Sequence, residues 1–471
     1  MKTIHIRTKT KYNLRSLTVT ALFVLLISTG SCDSFVEVEL PKSQLTNAVI
    51  FEDYATANAA MSDVFSKIRD RGLLTGAPYG LSNQLGCYTD EIIFYGTAAN
   101  PTFDFYANAV LPSNSTVALF WNNSYNQIYA ANAVIAGVRG STKLSASNKA
   151  LLEGEALFVR ALLHFYLVNL FDSIPYVTST DYRENSQLTR TPVTEVYQQI
   201  ISDLEASAIL LPENYNNTAR ARPNTFAVKA LLARVYLYNE SWELAANAAS
   251  AVLNRTNLYL LKENLNTVFL KESTETIWQF MPSATGKNTD EASTFIFFAG
   301  PPPLVGLNVS LINSFTPPDL RKALWTKTIT KASSTWYHSN KYKEFNYTTP
   351  SKEYSIILRL AEQYLIRAEA RAQQGDLIGA KEDLNKIRQR AGLSQTMAVT
   401  KGEILQEILK ERRLELFTEY GHRFFDLKRN GQLDTALSLL KPGWNNKDRL
   451  FPIPESELSV NPNLRPQNEG Y

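Results

Sequence analysis

Residues 353–393 constrain the fold more than any other part of the chain, because they describe two helices joined by a tight turn. On the first helix, apolar and small residues recur every three or four positions and so share one face; they are Ala361, Tyr364, Leu365, Ala368 and Ala372. Gly375 can end this helix and Asp376 can cap the next. The second helix carries a matching stripe of Leu377, Ala380, Leu384, Ile387 and Ala391. The two stripes predict a closely packed helical hairpin.

The same spacing recurs earlier in the chain, which indicates a repeat. The matched positions are Ala368 and Ala233, Ala380 and Ala245, Leu384 and Ala249, and Ile387 and Val252. Leu232, Ala233 and Tyr236 fit the first helix of a tetratricopeptide repeat, which faces spaced alanines on the second helix. We therefore predict an all-α fold built on a tetratricopeptide-like helical repeat scaffold. The alternative is a set of ordinary amphipathic helices in an all-α core.

The remaining sequence divides into parts of different pattern. Residues 48–254 are dominated by helical patterns, residues 255–352 are irregular, and residues 353–471 are helical with a tail. Further helices are predicted at 51–70, 120–138, 147–171, 194–211, 225–254 (a pair) and 401–420. The middle part has proline clusters and only short strand-like runs, at 276–280 and 336–345. We expect a loop-rich portion with a few short strands, laid over the helical scaffold of one domain.

The amino terminus has the pattern of an export signal. Residues 1–16 contain five basic and no acidic residues, and an apolar run at 17–27 precedes Ser28-Thr29-Gly30-Ser31-Cys32. The run is too short to span a bilayer, which takes about 20 apolar residues. A cysteine directly after small residues resembles a bacterial lipobox. We predict a lipoprotein signal peptide at 1–31 and lipidation of Cys32, with the single domain at 32–471; ordinary cleavage nearby is the alternative.

Composition excludes several functions once the signal is set aside. The full chain has 48 basic and 45 acidic residues, and removing the five basic residues of the signal leaves 43 basic residues against 45 acidic ones. No basic face remains of the kind that nucleic-acid binding requires. Beyond Cys32 only Cys87 is left, so an internal disulfide is not expected.

Several motifs follow one another in an order that resembles the SusD/RagB family. They are Phe120-Trp121-Asn122 with the helix that follows, EALFVRALLHFYLVNLFDSIPYV at 155–177, the hairpin at 353–393, ILKERRLELFTEYGHRFFDLKRNG at 408–431, LFPIP at 450–454 and NPNLRPQNEGY at 461–471. The resemblance runs from Cys32 to Tyr471. Small departures, Phe171-Asp172-Ser173 for Phe-Gly-Asp and the segment at 420–425, concern loops and packing.

The resemblance implies a location, a partner and a role. Members of this family are outer-membrane lipoproteins of Bacteroidetes with a tetratricopeptide-like core. The chain is therefore expected to be lipid-anchored in the outer membrane, to bind a nutrient outside the cell, and to deliver it to a SusC-like TonB-dependent transporter. The expected ligand is an oligo- or polysaccharide. A peptide, as in RagB-like members, is the alternative.

Enzyme signatures are scarce, and no cofactor or metal ion is expected. The chain has four histidines without a His-x-x-x-His pair, and it lacks a Gly-x-Ser-x-Gly elbow and a phosphate-binding glycine loop. Charged residues of alternating sign at the last long helix are predicted to be paired structural ions; they are Glu411, Arg412, Arg413, Glu415, Glu419, His422, Arg423, Asp426 and Arg429. Asp319 and Arg321 are expected to pair in the same way. A helical glycosidase, which needs only two carboxylates, is a second alternative.

Two aromatic segments are candidates for the ligand site, because an aromatic ring can stack on the apolar face of a sugar while amides bind its hydroxyls. They are residues 88–106 and 325–347. The strongest candidates are Tyr95 and Trp336. The others are Phe94, Phe103, Tyr106, Trp325, Tyr337 and Asn340. For any single aromatic residue the alternative is packing in the core or at a partner interface.

Overall fold

A computed structural model describes residues 50–471, so the predicted signal peptide, Cys32 and residues 33–49 lie outside the described residues. The α-helices are α1 Tyr54–Arg71, α2 Leu81–Tyr88, α3 Thr102–Ala107, α4 Ser115–Gly140, α5 Ala146–Phe171, α6 Tyr182–Asn185, α7 Val193–Leu210, α8 Thr225–Tyr238, α9 Trp242–Leu253, α10 Asp290–Phe295, α11 Val309–Ser314, α12 Leu320–Trp325, α13 Leu360–Gln374, α14 Leu377–Arg390, α15 Lys401–Leu416, α16 His422–Arg429, α17 Leu433–Leu437 and α18 Glu455–Val460. The strands are β1 Ile92–Phe94, β2 Thr276–Phe280, β3 Val305–Leu307, β4 Thr326–Lys331, β5 Ser334–Ser339 and β6 Ser355–Arg359. The all-α prediction with a few short strands is confirmed.

The helical hairpin forms at α13 and α14 as predicted. Gly375 ends α13 in the left-handed region with φ of 89°, and the Asp376 side chain accepts a hydrogen bond from the Gly379 amide at 2.9 Å. The apolar stripes of both helices are buried together with Ile404 and Ile408 of α15. The earlier pair, α8 and α9, buries its matched positions as well; these are Ala233, Ala245, Ala249 and Val252. Residues 225–254 and 353–393 thus provide the two repeat units that the spacing predicts.

The beginning of the 353–393 segment differs from the prediction. Ser355–Arg359 forms β6, which pairs antiparallel with β2, and every residue of both strands is buried. The run Ile356-Ile357-Leu358 fits a fully buried strand as well as a helix. A partner strand about 80 residues away decides between the two, and no local pattern contains that information.

Several predicted boundaries are shifted. Helix α7 begins at Val193 after Pro192, one residue before the predicted start, and no side chain caps it. Helix α15 ends at Leu416, because Thr418 and Tyr420 have positive φ and form a turn. The strand expected at 336–345 is β5, which begins earlier and ends at Ser339.

The carboxy-terminal tail takes part in the main core. Phe451 is fully buried, and its ring lies 5.4 Å from Phe105 and 6.2 Å from Phe171 between ring centroids. The Phe451 amide donates to the Leu170 carbonyl at 2.8 Å. Burying such a side chain contributes roughly 1.5–3 kcal/mol. The LFPIP motif is therefore a packing element that joins the tail to the end of α5.

A set of buried ions links the irregular part to the helices, and we call it the charged cluster: Arg321, Arg359, Arg390, Glu415 and Glu419. The Glu415 carboxylate forms ion pairs with Arg359 at 2.6 Å, with Arg321 at 3.1 Å, and also with Arg390. Burial opposes the ionised form of Glu415, but the three arginines lower its pKa. These contacts confirm the pairing predicted for Glu415, and Arg321 also binds Asp319 at 2.8 Å as expected. His422 was expected among the paired ions, but burial and the neighbouring cations lower its pKa.

Candidate functional site

The two predicted aromatic segments meet at strand β3. Strand β1 pairs antiparallel with β3, so that Ile92 faces Leu307 and Phe94 faces Val305. The Tyr95 amide extends this ladder by donating to the Leu304 carbonyl at 2.7 Å. Tyr95 therefore follows directly after a short strand whose position is fixed by the irregular part of the chain.

Aromatic rings gather around the end of β1. The centroid of the Phe94 ring lies 6.3 Å from that of Phe103 and 6.3 Å from that of Tyr106. Tyr95 and Phe103 are 38% and 37% exposed and Tyr106 is half-buried, whereas Phe94 is 7% exposed. Phe94 packs with Ile92, Phe295 and Val305. Phe94 supports the exposed rings from below. The expectation that it presents a free ring face to a ligand is therefore wrong.

Trp336 reaches the same region from strand β5. Its indole covers Gly300, and a Cβ atom added at Gly300 would overlap the ring atom Cζ3. At the other end of this segment, Tyr95 Cε2 lies 3.3 Å from where a Cβ of Gly306 would stand. The backbone oxygen of Tyr337, the residue after Trp336, lies 3.3 Å from the same point, so Tyr95 lies close to the strand that carries Trp336. We call Tyr95, Phe103, Tyr106 and Trp336 the aromatic surface.

The expectation for Trp325 is wrong. Its side chain is fully buried, its indole N–H donates to the Leu265 carbonyl at 3.0 Å, and its ring lies 5.4 Å from that of Phe269. Trp325 is the last residue of α12, which packs on residues far away in sequence. It cannot contact a ligand without unfolding this part of the core.

Tyr337 and Asn340 are not brought to the aromatic surface. Successive side chains of a strand point to opposite faces, so Tyr337 leaves β5 on the face opposite Trp336. The Tyr337 ring is half-buried against the second apolar core, and it borders a groove with Phe315 and Pro317. The Asn340 amide donates to the Leu324 carbonyl at 3.2 Å, which anchors the chain to the end of α12. Of the eight predicted residues, the structure assembles five around one segment, and Phe94 is the buried one of these.

A buried ion pair fixes β1 to the scaffold. Asp90 accepts from Arg413 of α15 and from Arg423 of α16, each at 2.8 Å. Burial would raise the pKa of Asp90, but the hydrogen bond and charge of Arg423 and the charge of Arg413 lower it. Next to it, burial raises the pKa of Glu91 to about 7. Asp90 thus holds the strand that precedes Tyr95, while the adjacent Glu91 has a raised pKa.

A cation lies beneath one of the rings. Lys441 Nζ is 4.3 Å from the centroid of Tyr106 and donates to the Cys87 carbonyl at 2.6 Å. Burial lowers the pKa of Lys441 to about 8. This cation–π contact holds the Tyr106 ring in place and does not offer a free charge to a ligand.

Two histidines of the helical scaffold lie in the core. His164 and His422 are buried, and burial lowers the pKa of both imidazoles, so neither is placed as a surface acid or base. Within residues 50–471, no three His, Cys, Asp or Glu side chains are grouped so that they could hold a metal ion. No helix in this part of the chain is long and apolar enough to cross a membrane.

Sequence reasoning missed residues that shape the surface. Gly300 and Gly306 let the rings of Trp336 and Tyr95 approach the backbone. Two residues before Gly300, the exposed ring of Phe298 packs on Phe345, with 5.1 Å between centroids. The proline cluster at 301–303 between the two glycines was the available signal. By itself this cluster indicates only irregular structure.

Two family models match this chain in its helical parts. The model described as starch-binding associating with outer membrane matches residues 81–237, and the model described as SusD family matches residues 324–471. The two matches include α2, the α4 and α5 helices, the first helix of the repeat at α8, the hairpin α13 and α14, and the tail. They leave out most of the irregular part between them.

Individual relatives agree with these matches. The chain is similar to the SusD-like protein P2 of Formosa agariphila, at 28% identity over 76% of this chain and 81% of the relative. It is 38% identical to the starch-binding protein SusD of Bacteroides thetaiotaomicron over 24% of this chain and 21% of that protein. A solved laminarin-binding SusD-like protein shares the fold with a TM-score of 0.75 at 24% identity, over 88% of this chain and 99% of that protein.

Proposed function

Since the chain belongs to the SusD/RagB family, we propose that it is a non-catalytic binding protein that captures an oligo- or polysaccharide at the aromatic surface. The observation that carries this proposal is the exposure of Tyr95 and Phe103 on the loop segment whose Gly300 end carries the indole of Trp336. Large apolar rings that remain partly exposed on a well-packed support are typical of ligand surfaces.

The supported rings suit a sugar ligand in physical terms. A pyranose ring has an apolar face of C–H groups, which an aromatic ring can cover without distortion. Because Phe94 lies under Phe103 and Tyr106, and because Gly300 lies under Trp336, the rings lose little further freedom on binding. The names of two relatives, starch-binding SusD and the laminarin-binding SusD-like protein, support a glucan as the first ligand to test.

The proposal includes a membrane anchor and a partner. Lipidation of Cys32 would hold the protein at the outer membrane, where a SusC-like TonB-dependent transporter would receive the sugar. Each buried CH₂ of an acyl chain contributes roughly 0.8 kcal/mol, so several chains give persistent anchoring. Sharing one membrane raises the effective concentration of the two proteins, and modest contacts then keep them together.

Titration with defined sugars tests the binding proposal. We expect the double substitution Tyr95→Ala and Trp336→Ala to weaken binding of laminariheptaose or maltoheptaose about tenfold or more, since each stacked ring contributes roughly 0.5–1.5 kcal/mol. Isothermal titration calorimetry measures the affinity, and thermal unfolding checks that the fold is intact. Tyr54→Ala, which removes a comparably exposed ring from α1, is the matched control. If both the affinity and the number of sugars bound per chain are unchanged in the double variant, the sugar site lies elsewhere.

Two further measurements address the anchor and the partner. In the native host, radiolabelled fatty acid should label the wild-type protein and not Cys32→Ser. Purification of the tagged, full-length protein in mild detergent should recover a large β-barrel protein with it. Recovery of the lipoprotein alone would contradict the proposed partnership.

A further inference from the structure

A second concave surface lies between helix α4, the loop after α5, and the carboxy-terminal tail. Its volume of about 520 Å³ falls within the range of ligand sites, roughly 300–1,000 Å³. The residues that matter for the argument are Trp121, Tyr125, Asn126, Tyr129, Tyr182 and Glu457. We call this the α4 cleft. It shares no lining residue with the aromatic surface.

One wall of the α4 cleft is a row of rings on a single helix face. Trp121, Tyr125 and Tyr129 are four residues apart, which places them one above the other along α4. The first two rings lie 4.9 Å apart between centroids. Their exposure rises from 3% at Trp121 to 47% at Tyr129. The row therefore leads from a buried floor to an open rim.

The opposite walls are fixed by hydrogen bonds to the same helix. The Tyr125 hydroxyl donates to the Pro175 carbonyl at 2.9 Å, and the Asn132 amide donates to the Val177 carbonyl at 2.9 Å. These bonds tie the loop after α5 to α4. Across the cleft, Tyr182 of the short helix α6 is 75% exposed. The cleft is thus preformed, with an exposed tyrosine on each of two facing elements.

The polar groups of the α4 cleft narrow the class of ligand. No lysine or arginine lines it, and Glu457 supplies its one carboxylate. Burial raises the pKa of Glu457, and a hydrogen bond from Trp121 opposes this. Among residues 50–471, the side chains of Asn122 and Asn126 make no hydrogen bond, so their amides can both donate and accept. Arg183 lies 5.8 Å from the centroid of the Tyr182 ring, at the rim, but it does not line the cleft. No group inside the cleft would therefore select an anionic ligand such as a phosphate.

We propose that the α4 cleft is a second saccharide site that takes a neutral sugar. A pyranose ring would stack on Tyr129 or Tyr182, while its hydroxyls bind Asn126 and the Glu457 carboxylate. This inference rests on the cleft's own residues, and it shares only the ligand class with the function proposed above. Two sites on one chain would hold a polysaccharide with higher avidity than either site alone.

Four versions of the full chain test the proposal. They are the wild type, a cleft variant (Tyr129→Ala with Tyr182→Ala), the aromatic-surface variant (Tyr95→Ala with Trp336→Ala), and the combination. Both cleft substitutions remove exposed rings, so folding should be preserved. The proteins are titrated with the neutral probes laminariheptaose and maltoheptaose, and wild type and variants are applied to an array of immobilised neutral glycans. For a probe that binds, we expect two sugars per wild-type chain, one per chain in each double variant, and none in the combination.

Each outcome separates this proposal from the one above. If the aromatic-surface variant alone abolishes all binding, the proposed function stands and the cleft site is wrong. If the cleft variant alone abolishes it, the cleft site stands and the aromatic surface is wrong. If the cleft substitutions leave sugar binding intact but reduce recovery of a β-barrel partner from detergent, the cleft contacts protein and the saccharide assignment fails. If the wild type binds no neutral glycan, both proposals fail.

Discussion

The charged cluster and the aromatic surface are stabilised in opposite ways. In the cluster, Glu415 is fully buried and bound by three arginines, and each partner has a fixed geometry. On the aromatic surface, Tyr95 is more than one-third exposed, and its ring lies against the backbone at Gly306. Directional interactions between buried charges require one arrangement. The rings are positioned by the shape of the support and are left free to meet a ligand.

The two regions are physically connected through Asp90. It lies two residues before β1 and binds Arg413 and Arg423. Arg413 lies on α15, which also carries Glu415 of the charged cluster, and Arg423 lies on α16, the next helix. Strand β1 then leads directly to Tyr95. The scaffold thus fixes where the aromatic surface stands without contributing a ring to it. Damage to the scaffold should therefore lower stability first, and damage to the surface should lower affinity first.

The largest effect is expected from Glu415→Ala. Removing this carboxylate leaves Arg321, Arg359 and Arg390 buried without one of their shared partners, and breaking a buried ion pair on one side costs about 3–5 kcal/mol. We expect a large drop in the urea midpoint or loss of soluble protein.

The matched control for Glu415→Ala is Lys410→Ala, an exposed position on the same helix, which should change stability by less than about 0.5 kcal/mol. Sugar affinity of any folded Glu415→Ala protein should stay near that of the wild type. If Glu415→Ala unfolds like the control, the cluster is not what holds these elements together.

Glu291, a buried acid outside the charged cluster, should show a dependence of stability on pH that is opposite in sign to that of Glu415. Glu291 is buried on α10 and accepts from Ser355 at 2.7 Å and from Tyr420 at 3.1 Å, and within residues 50–471 no cationic side chain binds it. Burial raises its pKa from 4.5 to about 7. Because the folded state holds this proton more tightly, the associated stability is present below pH 4.5 and is lost as pH rises through 7.

Glu291→Gln keeps the shape without the charge, so it should remove this pH dependence. We expect the variant to gain stability over the wild type between pH 5 and pH 8, by up to about 3 kcal/mol at the upper end. Urea unfolding at four pH values measures the difference. Glu263→Gln, at an exposed position, should run parallel to the wild type. A constant offset between Glu291→Gln and the wild type across this range would show that Glu291 is ionised throughout.

The scaffold was predictable because its signals are local. The stripe beginning at Ala361 and the Gly375-Asp376 turn lie within one hairpin, and the structure reproduces both. Strand β6 was missed, because its pairing with β2 brings together residues about 80 positions apart. Charged residues at helical spacing also predicted their own pairing, since a buried charge needs a partner wherever it lies.

The aromatic surface was only partly predictable, because residue type does not fix exposure. Trp325 and Trp336 looked equivalent in the sequence, yet Leu265 and Phe269 bury the first, while Gly300 supports the second. The row of rings at Trp121, Tyr125 and Tyr129 was visible as a pattern. Trp121 belongs to a motif by which the chain resembles its family, and only the loop after α5 makes the row a cleft. That Tyr95 and Trp336 bind ligand stays a prediction.

The smallest effect is expected from Gly300→Ala, which tests whether the residues beneath the aromatic surface fix the positions of its rings. Gly300→Ala places a methyl group where the Trp336 ring now lies, so the indole must shift while every ring of the aromatic surface remains present. We expect binding of the heptasaccharide probes to weaken roughly threefold to tenfold, which corresponds to about 0.7–1.4 kcal/mol. The melting temperature should fall by only a few degrees. Gly402→Ala is the matched control, because its methyl group meets no atom within 4 Å, and it should leave affinity unchanged. If Gly300→Ala binds like Gly402→Ala, the exact place of the Trp336 ring does not matter, and the contrast between a positioned surface and a locked cluster loses its basis.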